Sequence, residues 1–290
     1  MEFTGWDAAA ALAKAASYAA TLGAAGAIFL LSYADRLLGD AQRRRIFRDV
    51  LSLSAVATLA STARIALLAA SIGDGLADMF DLSTVGMLLS AGEGPAIALR
   101  ILGLMLCIAA LKRGRLRGAT ACAGALLAAG SFAVLGHVHA LKPDGLPIAI
   151  LVVHLSCAAF WLGAFWPLLK VTRDTDHALI AALAARFGKI ALYVVGLLIG
   201  AGALLAYQLL GSLTALWSSG YGRLLGLKLL LVALLLCAAA VNKLKLTPRL
   251  AAGDAAAVVS LRRSIRFEMI VAGLILLVTA AFTSLTGPPT

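Results

Sequence analysis

The sequence predicts an all-α, polytopic membrane protein of eight transmembrane helices with both termini on the outer, periplasmic side. Three observations carry this. Hydrophobic residues make up 62% of the chain and charged residues only 13%, about half the charged share of a soluble domain. Apolar runs of the ~20 residues needed to cross a ~30 Å bilayer core recur along the whole length. Lys and Arg concentrate in alternate connections between those runs, as cytoplasmic loops do. Barrel strands would read as short alternating segments, and the sequence has none.

Taken in order, the expected spans are approximately Ala8–Tyr33, Ile46–Ile72, Pro95–Leu111, Gly118–Leu141, Leu146–Lys170, Phe187–Leu210, Tyr221–Val241 and Ile265–Thr286. They read as a single integral-membrane domain over residues 1–290. The first connection carries Arg36, Arg43, Arg44, Arg45 and Arg48, and the third Lys112, Arg113, Arg115 and Arg117. The fifth carries Lys170, Arg173, Arg186 and Lys189, and the seventh Lys243, Lys245, Arg249, Arg262, Arg263 and Arg266. The second connection has no basic residue and the fourth only Lys142. Odd connections therefore face the cytoplasm. The seventh, Asn242–Ser264, reads as a basic, Ala-rich cytoplasmic elbow.

The net charge of +11 is spent on this topology, so no nucleic acid is expected as a partner; the lipid bilayer is. The opening MEFTGWDAAAALAK has no basic segment before its apolar stretch, so no cleavable signal peptide is expected. Cys107, Cys122, Cys157 and Cys237 all lie inside apolar runs, which argues against a disulfide framework.

The second connection is the longest outer segment. It carries Asp74, Asp78, Asp81 and Glu93 with Met79 and Met87. Leu76, Met79 and Phe80, then Val85, Leu88 and Leu89, have helix-like spacing, so part of it is expected along the interface. One reading is a solvated acidic loop with a core-facing stripe. The other is a vestibule that collects cations, with thioethers suited to copper(I).

Three of the four histidines, His137, His139 and His154, fall within Gly136–Pro167, around the turn Lys142-Pro143-Asp144-Gly145. A hairpin there brings them to one side of the bilayer. Neutral imidazole is a good copper or zinc ligand. On a regular helix His137 and His139 point about 200° apart, so they share an ion only where the helix ends. His154 sits ~12 Å below the outer end of its span and His137 ~6 Å below the end of its own. The expected metal site is thus His137 with His154, joined by His139 and by Cys157, which is one helical turn from His154. Cys157 is equally a small buried hydrophobe. Cys107, Cys122 and Cys237 fall in inner halves and could form an exit relay, or be there by chance.

Lys14, Arg64, Arg100, Lys228 and Glu268 lie within apolar runs. Glu268 is expected to pair with Arg262, Arg263 or Arg266 and fix its helix end. Arg64 and Arg100 are expected either to snorkel or to pair with Asp81 or Glu93. Gly163 allows close helix approach, and Gly196, Gly200 and Gly202 in the sixth span repeat the small-residue theme, with Gly196 and Gly200 spaced as a packing signal. Pro167 is expected to kink or end its helix near the inner interface.

The ordered set Ser131-Phe-Ala-Val-Leu-Gly-His137, His154-x6-Trp161-Leu-Gly163, Arg186-Phe187-Gly-Lys189, Tyr221-Gly222-x5-Lys228, Asn242, Leu261-Arg-Arg-Ser-x-Arg266-x-Glu268 and Pro288-Pro289 resembles the CopD/PcoD copper-resistance membrane proteins. The resemblance is close over Thr120–Pro289, giving a core of about 118–289. Before that it rests on span count and loop charge. It implies an eight-span inner-membrane protein that moves copper ion from periplasm to cytoplasm. It also implies a periplasmic CopC-like copper-binding partner, expected here as a separate protein. Only His137 and His154 lie in matching motifs.

No GxxxxGK[ST] loop and no DKTGT-type site is present, so transport powered by the chain's own ATP hydrolysis is not expected. The chain reads as a transporter rather than an enzyme. Two other classes fit the histidines: a b-type haem redox protein with ligands on facing helices, and a copper sensor or assembly protein that binds without transporting.

Overall fold

Several of the helices begin at a capping side chain rather than at the edge of an apolar run. A computed structural model describes residues 4–112, 117–135, 145–173, 176–212 and 214–286, and helix is the only regular structure among them. Helix α1 (Gly5–Ala34) opens on a reciprocal capping box between Thr4 and Asp7. Then come α2 (Asp40–Gly73), the short α3 (Leu82–Leu88), α4 (Gly94–Lys112), α5 (Arg117–Gly130) and α6 (Leu146–Val171). The chain continues through α7 (His177–Leu210), the single turn α8 (Ala215–Ser218), α9 (Gly220–Val241), α10 (Thr247–Ala251) and α11 (Ala255–Leu285).

Among the described residues, seven helical stretches are long and apolar enough to cross a membrane. The expected fourth span appears as α5 plus a 3₁₀ turn over Ser131–Val134, and its apolar part, Gly118–Val134, is shorter than the others. Because 3₁₀ winding rises ~2.0 Å per residue against 1.5 Å, this segment still extends about 29 Å. Leu135 ends the turn in an extended conformation, and residues 136–141 of the expected span lie outside the described residues.

Helices α2, α7 and α11 start well before the apolar runs they contain, taking in Arg43–Arg45, Arg186 and Arg262–Arg266. Asp176 caps α7 by accepting from the Leu179 amide (2.9 Å), and Asp254 caps α11 by accepting from Ala256 (2.8 Å). Hydropathy marks only the membrane-embedded part of such a helix. The expected cytoplasmic elbow is therefore mostly helical, broken at Gly253 (φ +81°).

Two π-type turns interrupt the long helices, over Leu89–Glu93 and Asn242–Leu246. Each ends two residues before a proline, Pro95 or Pro248. Proline has no N–H and its ring clashes with the carbonyl four residues back, so a widened turn there relieves the misfit. Gly92 (φ +112°) absorbs the kink in the first. In α6, by contrast, Pro167 neither ends the helix nor stops it short of Val171.

Helix α1 is the central element, packed against α2, α5, α6 and α11. It crosses α6 where Gly26 faces Gly163, with backbone against backbone: a side chain on Gly26 would strike the Ala159 carbonyl, and one on Gly163 would come within 2.6 Å of Gly26 Cα. Gly103 and Gly124 do the same for α4 and α5. Gly196 and Gly200, expected at a packing seam, are exposed instead, with open space where a side chain would sit.

Polar contacts identify the two ends of the bundle. At one, Lys170 at the end of α6 meets Asp49 near the start of α2 (2.5 Å), and Arg262 of α11 donates to the Thr172 carbonyl and hydroxyl. At the other, Ser71 donates to Asp7 (2.5 Å) and Lys14 donates to the Thr283 carbonyl (3.2 Å). The basic segments thus gather at one end, and the start of α1 meets the end of α11 at the other.

Candidate metal site

His154 is the one expected histidine ligand that lies among the described residues; His137 and His139 do not. It projects from α6 toward α7, where its Nδ1 lies 3.2 Å from the Leu198 carbonyl oxygen. A carbonyl only accepts, so Nδ1 carries the proton and Nε2 keeps its lone pair. That is the arrangement of a metal-binding histidine, whose second nitrogen donates to a carbonyl or carboxylate. The approach depends on Gly202: a Cβ there would sit 3.0 Å from His154 Cε1 and 3.3 Å from Nδ1. Gly202→Ala is therefore expected to turn the ring off Leu198, and a metal held at Nε2 would then bind about tenfold more weakly, the scale of lost outer-shell support. Copper titration of the purified variant checks this.

Cys157 is buried one turn further along α6 and is a free thiol. No cluster of three or more His, Cys, Asp or Glu side chains forms among the described residues. His154 and Cys157 thus make half of a site at most. Of the expected exit relay, Cys107 and Cys122 lie within electrostatic reach of each other, with the Cys107 thiol directed to the Ala121 carbonyl (3.5 Å), whereas Cys237 is exposed on the outside of the bundle.

Along the same face of α6, Trp161 follows about 10 Å below His154, then Phe165, Leu168 and Thr172. These four, with facing residues of α7 from Val195 to Ile180, line a cavity of about 440 Å³ toward the basic end. Asn242, Lys243 and Glu268 complete its wall. Glu268 is 2% exposed. The arginine pair expected for it is not formed among the described residues. It accepts from Asn242 Nδ2 and from Ser264 Oγ (3.2 Å) instead. Arg262 is spent on Thr172 at the end of α6, while Arg263 and Arg266 are exposed. Helical geometry explains this, since Ser264 at i−4 shares the face of Glu268 and Arg266 points about 200° away.

The expected stripe forms in part: Val85 and Leu88 are half-buried where α3 packs against α2, while its other members except Met79 are exposed. Leu76, Phe80, Leu82, Met87 and Leu89 are all exposed, as suits a segment lying on a membrane surface; Met79 is half-buried. Asp81 caps α3, and the hydroxyls of Ser83 and Thr84 hold its carboxyl well below the usual carboxylate range. Asp74 takes the left-handed position that ends α2 (φ +64°), and the Asp78 side chain packs beside Gly73. Glu93 pairs with Arg64. Two of the four acids are therefore committed to structure.

Arg100, 4% exposed, is held without a carboxylate among the described residues. Its guanidinium donates to Ser131, Ser17 and Ser61 (3.1, 3.2 and 2.7 Å) and lies 3.8 Å from the centre of the Phe132 ring. Lys14, Arg64 and Arg100 act on one another electrostatically, and Glu93 is their common anion. Glu93→Gln is expected to destabilise the bundle by about 3 kcal/mol, the scale for removing one partner of a buried pair. Thermal unfolding in detergent measures the loss, and Arg64→Met in the same chain should return part of it.

The sequence marks Gly202 only as a small residue and Lys228 only as a charge within an apolar run; neither is signalled there as a neighbour of His154. Lys228 comes within electrostatic reach of His154 from α9, and its Nζ lies 5.5 Å from the Phe282 ring centre. A positive neighbour disfavours a second cation.

Residues 5–146 match the family described as copper resistance protein D-like, N-terminal domain, and residues 181–282 match copper resistance protein D. The chain is 28% identical over 161 residues to the copper transport protein CutJ of Bacillus subtilis (strain 168). That alignment covers 54% of this chain but only 28% of the relative, so the chain spans a little over a quarter of that protein. No solved structure matches.

Proposed function

The chain belongs to the copper resistance protein D family, and from that premise we propose that it carries copper ion across the bacterial inner membrane, from the periplasm to the cytoplasm. The observation that carries the reading is His154, whose Nδ1 is tied to the Leu198 carbonyl so that Nε2 is left to a metal. His137 and His139 are the further ligands in this reading, with Cys157 one turn inward. The α6–α7 face then leads from His154 to the cavity at the basic end.

Orientation follows from charge, and the inward direction of copper movement is what the family resemblance implies. The end that gathers Arg43–Arg48, Lys170 and Arg262–Arg266 is the cytoplasmic one. Counting α5 with its 3₁₀ turn as a crossing gives eight spans and leaves both termini in the periplasm. Asp74, Asp78, Met79 and Met87 then stand at the outer mouth, where a separate CopC-like protein would deliver copper. The protein acts as a carrier in this reading and not as an enzyme. The test is copper accumulation in cells at equal protein level. The double variant His137→Ala with His154→Ala should accumulate no more than cells lacking the protein, and normal accumulation would reject the site.

A further inference from the structure

The inner cavity is apolar on the sides formed by α6, α7 and α9, apart from the Thr172 hydroxyl, yet it holds a buried carboxyl. From α6 it receives Trp161, Phe165 and Leu168, and from α7 and α9 no titratable side chain. The π turn contributes Asn242 and Lys243, and α11 contributes Glu268. Such a carboxyl is costly to keep in a membrane bundle and is functional by default.

The chemistry of its partners is informative. Three arginines lie within six residues of Glu268 on the same helix. A guanidinium only donates and would lock the group as a carboxylate. Here the partners are an amide and a hydroxyl, both able to donate or accept. Asn242 Nδ2 donates to Glu268 Oε1. Its Oδ1 is buried with no partner. Turning the amide about its axis would present that oxygen as an acceptor to a protonated carboxyl. Ser264 can reverse in the same way by rotating its hydroxyl. Both donors converge on Oε1, and among the described residues nothing bonds to Oε2 of this cavity-lining side chain. The site is all oxygen, which suits a proton better than a thiophilic copper(I).

We propose that Glu268, with Asn242 and Ser264, forms a proton-binding site that takes up and releases H⁺ through the inner cavity. The proton leaves Glu268 Oε2 for water on the cytoplasmic side and returns by the same route, with no change of oxidation state. Lys243 is the other charged side chain on the wall of the same cavity. Coupling of this proton to copper passage rests on the transport reading above; the proton site itself does not.

Infrared difference spectroscopy of the purified full chain in lipid, titrated with acid and base, tests it. The wild type should show a carboxylic-acid carbonyl band that appears on acidification. Glu268→Gln should lose that band, and Glu268→Asp, which keeps a carboxyl, should shift and retain it. A wild-type spectrum whose bands are unchanged in Glu268→Gln overturns the proposal. In sealed vesicles, an imposed pH gradient should change copper flux in the wild type and leave it unchanged in Glu268→Gln. Equal responses in both would overturn the coupling. Copper flux absent from every sample would instead count against transport, with the infrared result still judging the proton site.

Discussion

Replacing His154 by alanine should reduce copper binding by on the order of 100-fold or more, because losing a ligand exceeds the 10–100-fold cost of losing its outer-shell support. The cause is local. Nδ1 is fixed by Leu198 and Nε2 is the group left to the metal, so alanine removes the donor and leaves a void beside Gly202. Packing should suffer little, since His154 is only half-buried. Equilibrium titration with copper(I) and copper(II) in detergent measures the change, alongside thermal unfolding. The account requires lost binding with a nearly unchanged melting temperature. Unaltered affinity for both oxidation states would remove His154 from the site.

The second large effect is on stability. Gly163→Leu should destabilise the bundle by at least the ~1–3 kcal/mol of ordinary overpacking, because the new side chain would meet backbone rather than another side chain. The Gly163 Cβ position lies 2.5 Å from the Leu22 carbonyl oxygen and 3.0 Å from the Gly26 nitrogen. Helix α1 would have to move off α6, and α1 is the element that α2, α5 and α11 also pack against. Gly196→Leu is the matched control, since its position opens onto empty space. Melting in detergent should fall sharply for the first and hardly at all for the second. Equal melting would mean that α1 and α6 do not cross at these glycines.

Much of this architecture is legible in the residues. Apolar length and alternating basic connections give the helical membrane class and the grouping of charged ends, because burial in lipid dictates both. Gly163 and the Arg64–Glu93 pair could be anticipated in the same way. Gly196 and Gly200 could not be told from them, since a small-residue spacing carries no sign of which helix face meets a neighbour. Helix starts were hidden because hydropathy is blind to Asp176 and Asp254 as caps. The π turns were signalled only by Pro95 and Pro248, whose consequence depends on how the preceding turn relaxes. Glu268 shows the sharper lesson. Counting nearby arginines suggests an ion pair, while helical phase points to Ser264, and the amide of Asn242 arrives from a different helix altogether. For the metal site, the sequence singles out His154 but gives no sign of the Leu198 carbonyl or of Gly202, which orient it.

Transport in the proposed reading requires copper to cross the bilayer through this chain. Purified protein in sealed vesicles with a copper-responsive dye trapped inside tests it most directly. Copper added outside should enter wild-type vesicles and should not enter those carrying His154→Ala beyond the protein-free leak. Copper bound by the wild type with entry no faster than that leak would contradict the account and leave a protein that holds copper without moving it.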